Sequence, residues 1–201
     1  MRVRIKVCGM TRAEDAAAAA RLGVDAVGLV FYPKSPRYVS VEQAKALVKK
    51  LPAFVTVTAL FLDPTREDVQ KVLDGVRVEL LQFHGNEPPE FCHGFGRPYI
   101  KAVPMGSQAD IADYARRYHD AAALLLDSHV QGQKGGTGKS FTWSSLPKVE
   151  GPPLILAGGL NSENVGTAIS VVHPYGVDVS SGVESAPGSR TPTSLPPSYA
   201  R

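Results

Sequence analysis

Val3-Arg4-Ile5-Lys6-Val7-Cys8-Gly9-Met10-Thr11 reads as a short β-branched strand closed by a glycine turn. The alanine-rich stretch near 12–22 that follows reads as a helix. The same strand–turn–helix grammar recurs along the chain. Strands are expected near 2–8, 26–31, 55–62, 79–84, 99–104, 122–127, 153–158 and 176–181. Amphipathic helices are expected near 12–22, 40–50, 65–74, 88–94, 107–118 and 162–172, with a short helical turn near 142–147. Ser40 with Gln43 fits a capping box, and Thr65 with Asp68 approximates one. Strands that alternate with helices through short connections give a parallel sheet with its helices outside. Eight such strands favour closure into a single (β/α)8 TIM barrel over an open doubly wound sheet, and no Gly-x-Gly-x-x-Gly follows the first strand. The expected domain is 1–186.

The last unit departs from this grammar. After Glu184 the chain carries Pro187, Pro192, Pro196 and Pro197, and these four prolines forbid a regular helix. The final outer helix is therefore missing, or replaced by an irregular Pro-rich tail over 187–201. Without it, the outward faces of the first and last strands (Val3, Ile5, Val7, Val177 and Val179) are expected to be partly exposed.

Composition bounds the function. The chain has 201 residues, 43% hydrophobic and 20% charged, with a net charge of +3. That balance is too small and too scattered for a nucleic-acid footprint, while it favours a small anionic substrate. No apolar run approaches membrane-spanning length, and Met1 leads straight into a strand, so neither membrane nor signal peptide is expected. Cys8 and Cys92 have neither disulfide nor zinc spacing, which suits a reducing cytoplasm. Cys92 reads as a partly buried helix thiol without chemistry.

Chemistry concentrates at strand ends, where parallel barrels present their catalytic groups. Cys8 closes the first strand, and Asp127 closes the apolar run 121–126, so a thiol and a carboxylate form a candidate acid–base pair. Period-two alternation turns Cys8, Lys6 and Arg4 inward together, and Asp178 inward on the neighbouring last strand. Lys6 and Asp178 are then expected to pair, since neither charge is stable when buried alone. Ala157-Gly158-Gly159-Leu160 and Ser180-Ser181-Gly182 end the seventh and eighth strands, where barrel loops hold phosphate by backbone N–H groups. Arg37, stiffened by Pro33 and Pro36, reads either as a bidentate carboxylate clamp or as a solvated loop residue. His84, at the end of the fourth strand, either contacts ligand or hydrogen-bonds the rim.

Gly132-Gln133-Lys134-Gly135-Gly136-Thr137-Gly138-Lys139-Ser140 looks superficially like a phosphate-binding P-loop. That motif needs glycine at 133, and no long helix follows. A glycine-hinged lid carrying Lys134 or Lys139 fits better.

Taken in order, Lys6-Val7-Cys8-Gly9-Met10-Thr11, Phe31-Tyr32-Pro33-Lys34-Ser35-Pro36-Arg37, Leu81-Gln82-Phe83-His84-Gly85, Leu126-Asp127-Ser128, Gly135-Gly136-Thr137-Gly138, Ala157-Gly158-Gly159-Leu160 and Asp178-Val179-Ser180-Ser181-Gly182-Val183-Glu184 resemble the phosphoribosylanthranilate isomerase family of tryptophan biosynthesis. The resemblance implies a (β/α)8 barrel and an Amadori rearrangement. N-(5-phosphoribosyl)anthranilate becomes 1-(2-carboxyphenylamino)-1-deoxyribulose 5-phosphate, with no metal or cofactor. It implies Asp127 as general acid, Cys8 as general base, Arg37 on the anthranilate carboxylate, and phosphate held by Gly158, Gly159, Ser180, Ser181 and Gly182. The partner is then a small phosphorylated substrate, and the assembly a monomer or homodimer. The chain diverges after Gly188, where the family usually continues with Gly-Lys-Asp and a final helix. Two other readings remain at this stage: a different sugar-phosphate barrel enzyme, or a catalytically dead phospholigand binder.

Overall fold

The computed structural model describes residues 2–107, 109–128, 146 and 149–189. Eight parallel strands close into one barrel in chain order: β1 (Arg4–Cys8), β2 (Ala26–Val30), β3 (Thr56–Phe61), β4 (Leu80–Phe83), β5 (Tyr99–Pro104), β6 (Ala123–Asp127), β7 (Leu154–Leu156) and β8 (Gly176–Val179). The helices between them are α1 (Ala13–Arg21), α2 (Val41–Val48), α3 (Arg66–Gly75), α4 (Pro89–Cys92), α5 (Ile111–Arg117) and α6 (Val165–Val172). The expected lid over 132–140 lies outside the described residues, as do the helical turn near 142–147 (except Leu146) and the tail from Arg190 on, with Pro192, Pro196 and Pro197.

Both capping boxes form with reciprocal bonds. The Gln43 N–H donates to Ser40 Oγ at 3.2 Å and the Ser40 N–H to Gln43 Oε1 at 2.8 Å. Asp68 serves Thr65 in the same way, at 3.1 and 3.0 Å. Aspartate, one methylene shorter than glutamate, still reaches the cap N–H. The helix expected near 107–118 is divided: a 3-10 turn at Met105–Ser107 precedes α5, which starts only where Asp110 caps the N–H groups of Ala112 and Asp113. β8 ends at Val179, and a 3-10 turn follows at Ser181–Val183.

Registers around the ring place one set of alternate residues inside. The interior has two halves. Ile100, Ala102, Ala123, Leu125, Ile155 and Ala157 pack together with Leu80 as a dry half built on β4 to β7. Lys6, Thr58, Gln82 and Asp178 make the other half polar, all buried. Lys6 donates to Asp178 Oδ1 at 2.9 Å across the β1–β8 junction, as the alternation required. Arg4 keeps its inward parity but sits at the opposite rim, half-exposed, and bonds Asp25.

The expected exposure of the β1–β8 seam is wrong. Ile5, Val7, Val177 and Val179 are buried at 5%, 1%, 1% and 2%, and Val3 packs against them. They share one apolar cluster with Ala16 and Ala19 of α1, Ala168 of α6, and Val183 from the turn after β8. Val183 is 2% exposed in that cluster, a side chain the sequence reading had left out of account. Full burial of a valine or isoleucine is worth roughly 1.5–3 kcal/mol, so the seam is a source of stability rather than a deficit. Among the described residues no helix is long and apolar enough to cross a membrane.

The buried pair makes a testable demand. Lys6→Met should destabilise the barrel by about 3–5 kcal/mol at pH 7, because it strands the Asp178 carboxylate. Lys6→Met/Asp178→Leu should recover most of that loss in urea unfolding. Lys6 is held above its ordinary value of 10.5 in the fold, so the wild-type contribution is complete below pH 10.5 and fades only as pH climbs through the raised value. A Lys6→Met protein as stable as wild type would contradict this account.

Candidate active site

Cys8 ends β1 with its side chain inward, and Asp127 ends β6 with the same parity. The thiol fits because β2 offers a glycine opposite it. Gly28 pairs with Cys8, and a Cβ there would come within 2.7 Å of Sγ and 3.1 Å of the Cys8 Cα. The Gly28 carbonyl also accepts the N–H groups of Gly9 and Met10, both at 2.9 Å, which turns the chain sharply out of β1. Beneath Cys8, the Lys6 ammonium bonds Asp178 and reaches the Cys8 side chain. Burial works against that charge, yet Asp178 and Cys8 together hold Lys6 above its ordinary value. The Asp178 carboxyl is pushed up by burial against the pull of Lys6, with nearby Asp127 adding to the rise.

Asp127 is met by His84 from the end of β4, with Nε2 3.1 Å from Asp127 Oδ2. Gln82, two residues earlier and equally inward, places Nε2 3.0 Å from His84 Nδ1. With the amide nitrogen as donor, Nδ1 accepts, and Nε2 presents its N–H to Asp127 Oδ2. His84 thus lines the cavity and hydrogen-bonds Asp127 at its rim.

Arg37 is no solvated loop residue. Its side chain is 13% exposed, and its Nε and Nη2 donate to Glu184 Oε1 and Oε2 at 2.8 and 2.6 Å. These bonds to Glu184, together with its charge, raise the guanidinium pKa further. Arg37 therefore makes a bidentate pair, with a carboxylate of the chain itself on one edge.

The loops after β7 and β8 meet backbone to backbone: a Cβ on Gly182 would lie 1.9 Å from the Leu160 carbonyl oxygen. Only glycine permits that approach, which draws both loops inward over the barrel mouth. One cavity of about 360 Å³ results. Cys8 and Asp127 line it, as do Arg37 and His84 and all five loop residues Gly158, Gly159, Ser180, Ser181 and Gly182. Val30, Leu60 and Leu62 supply an apolar wall, and Tyr32 lies beside them. Cys92 stands apart at the end of α4, with burial pushing its thiol up to about 12, and is chemically inert at neutral pH. Among the described residues no group of three or more His, Cys, Asp or Glu could hold a metal ion.

Three features of the site escaped the sequence reading. Gly28 was visible as a glycine interrupting the strand Ala26–Val30, but nothing local said which neighbour needed the space. Gln82 carried the plain signal of an amide inside a strand, at inward parity with His84. Glu184 had no local signal for its grip on Arg37, which spans 147 positions.

The family model described as N-(5'phosphoribosyl)anthranilate (PRA) isomerase matches residues 5–195. A curated relative, N-(5'-phosphoribosyl)anthranilate isomerase from Pseudomonas syringae pv. tomato, is 53% identical over 186 residues, covering 92% of this chain and 90% of the relative. The crystal structure of phosphoribosyl anthranilate isomerase from Thermotoga maritima superposes with a TM-score of 0.87 at 42% identity, over 96% of this chain and 94% of that one. A further structure of the enzyme, in complex with reduced 1-(o-carboxyphenylamino)-1-deoxyribulose 5-phosphate, gives 0.81 at 38% identity, with the same coverages. On this fold, this cavity and these likenesses, the chain belongs to the N-(5'-phosphoribosyl)anthranilate isomerase family.

Proposed function

We propose that the cavity carries out the family's rearrangement with Cys8 as general base and Asp127 as general acid. The family's reaction converts the aminoaldose N-(5-phosphoribosyl)anthranilate to the aminoketose 1-(2-carboxyphenylamino)-1-deoxyribulose 5-phosphate, a step of tryptophan biosynthesis. The observation that carries the assignment of roles is the convergence of a strand-end thiol and a strand-end carboxyl on one cavity, between an arginine and two glycine-rich loops.

Protonated Asp127 gives its proton to the furanose ring oxygen. The C1–O bond breaks, and the anilino nitrogen supplies the electron pair that forms a protonated Schiff base. The Cys8 thiolate then takes the proton from C2, the electrons flow into the C=N bond, and an enolamine forms. Tautomerisation of the enolamine gives the ketone. The Schiff base is its own electron sink, so the protein need only place two proton carriers and fix the substrate between them. The Lys6 ammonium supplies positive charge where the thiolate must form, and His84 orients Asp127 through Nε2–H. Arg37 takes the anthranilate carboxylate. The backbone around Gly158, Gly159, Ser180, Ser181 and Gly182 takes the phosphate, where closely approached N–H groups suit a dianion. His84, which lines the same cavity, is a further substrate contact in this reading. We place the enzyme in the cytoplasm, where Cys8 stays reduced, as a monomer or homodimer to be distinguished by sedimentation velocity.

Turnover of phosphoribosylanthranilate, followed by the loss of anthranilate-type fluorescence, tests these roles. Cys8→Ala should lower kcat by about 10²–10⁴-fold while product affinity stays within about threefold, because it removes a proton acceptor and no binding group. Near-normal activity in the purified variant would sink the assignment.

Asp127→Asn keeps the shape of the acid but removes its proton, and should lower kcat by a similar factor of about 10²–10⁴. The residual activity should lose one limb of the wild-type pH–rate profile. A profile unchanged by the replacement would mean that another group protonates the ring oxygen.

Gly28→Ala tests the packing behind the base. The added methyl would displace Sγ or spread β1 from β2, at about 1–3 kcal/mol of stability, with kcat falling more than KM changes. Wild-type kcat in a folded Gly28→Ala protein would show that the thiol has room the geometry denies it.

A further inference from the structure

We propose that Glu184 is a positioning residue for substrate recognition: it grips Arg37 by the Nε–Nη2 edge and so presents the end of the guanidinium to the ring carboxylate of the substrate. This rests on the reading of Arg37 as the carboxylate clamp.

A guanidinium has five N–H donors arranged along its planar edges. Glu184 accepts one from Nε and one from Nη2, at 2.8 and 2.6 Å. The end-on edge keeps one N–H from each of Nη1 and Nη2, parallel and at the spacing a second carboxylate needs. Among the described residues no hydrogen bond to Nη1 is present. Arg37 lines the cavity and Glu184 does not; the Glu184 side chain lies deeper, 4% exposed against 13%. A substrate carboxylate can therefore reach the free end of the fork without expelling Glu184.

Glu184 is itself fixed. It leaves the turn Ser181–Val183, and its Oε1 accepts the Gly188 N–H at 3.2 Å. The Gly188 carbonyl accepts the Thr11 hydroxyl, and Arg12 bonds Ser189 at 3.2 Å, which pins residues 184–189 across the loop after β1. The arginine stem crosses Gly9, where a Cβ would stand 2.4 Å from Cδ. Arg37 is thus held from the front by Glu184 and from below by a gap that only glycine leaves. Arginine carries much rotamer freedom, and fixing it before the substrate arrives removes that ordering cost from binding. The competing idea is that Glu184 stands in for the substrate carboxylate and must be displaced. The two predict opposite signs when Glu184 is weakened.

The experiment compares wild type, E184Q, R37K and R37K/E184Q. Steady-state turnover is read together with calorimetric binding of two probes: reduced 1-(o-carboxyphenylamino)-1-deoxyribulose 5-phosphate, and the same compound without the ring carboxylate. E184Q should raise KM about tenfold, the scale of one charge-assisted hydrogen bond, and leave kcat within about threefold. It should weaken the carboxylated probe by a similar factor and leave the other unchanged. R37K should also raise KM, and adding E184Q to it should do little more. A fall in KM would make Glu184 a competitor and overturn the proposal, as would an unchanged KM or equal losses for both probes. If E184Q does not fold, E184D retracts the carboxylate by one methylene and should show the same selective loss; wild-type binding in E184D would overturn the proposal. If R37A binds both probes as wild type does, the clamp reading itself fails, a result separate from any effect of Glu184.

Discussion

Lys6 and Asp178 meet at the one junction where the first strand must find the last, 172 positions away, and the barrel's register depends on their meeting. A buried ion pair contributes little net stability, because desolvation consumes most of its Coulomb energy. Its weight lies in what the alternatives cost. A slip of one residue at this junction would turn Asp178 outward among the valines of the seam and leave Lys6 alone inside. The surrounding ladder offers Ile5 against Val177 and Val7 against Val179, which would tolerate many registers. The charges do not. The same register sets Cys8 one step above Lys6 at the mouth, so the fold's closure and the placing of its thiol are a single event.

A second buried pair performs the matching task on the far side, outside the barrel. Lys101 of β5 bonds Glu87 at 2.9 Å and also donates to the carbonyls of Phe83 and Gly85. Glu87 accepts the N–H groups of Gly85 and Asp63 in turn, and its carbonyl takes the Tyr118 hydroxyl. Both side chains are almost wholly buried, and every bond they make lands on the loop after β4 or on its neighbours. That loop begins with His84. The direction in which His84 faces Asp127 is therefore fixed from behind by charge-assisted bonds, which are stronger and more directional than apolar packing alone.

The parts of this molecule that were legible in sequence are those governed by local periodicity. Eight strands, both capping boxes and the inward parity of Cys8, Lys6 and Asp178 follow from spacing of 2 or 3.6 residues, which the chain cannot disguise. The pairing of Lys6 with Asp178 was accessible too, because barrel closure makes strands one and eight neighbours. What stayed hidden was set by contacts between distant segments. Glu184 meets Arg37, and Val183 is buried in the outer apolar cluster, yet neither has a pattern in its own stretch. The seam shows the hazard of reasoning from one element: a Pro-rich tail suggested exposed valines, whereas these side chains are buried within the outer apolar cluster.

The divided interior explains how these parts act together. Between β4 and β7 the barrel interior packs Leu80, Ile100, Ala102, Ala123, Leu125, Ile155 and Ala157 against one another. Charges on the opposite side consequently interact through a medium of low polarizability, where each pair counts for more than it would at the surface. Going round the ring from β1 through β8 and β7 to β6, one passes from Cys8 to Asp178 to Asp127. Asp178 bonds the lysine that reaches Cys8, and its own proton affinity responds to Asp127. The proposed base and the proposed acid therefore belong to one electrostatic group with the Lys6–Asp178 pair at its centre. A proton moved at either end changes the field felt at the other. That coupling suits the proposed reaction, in which one proton is given to the ring oxygen and another is taken from C2.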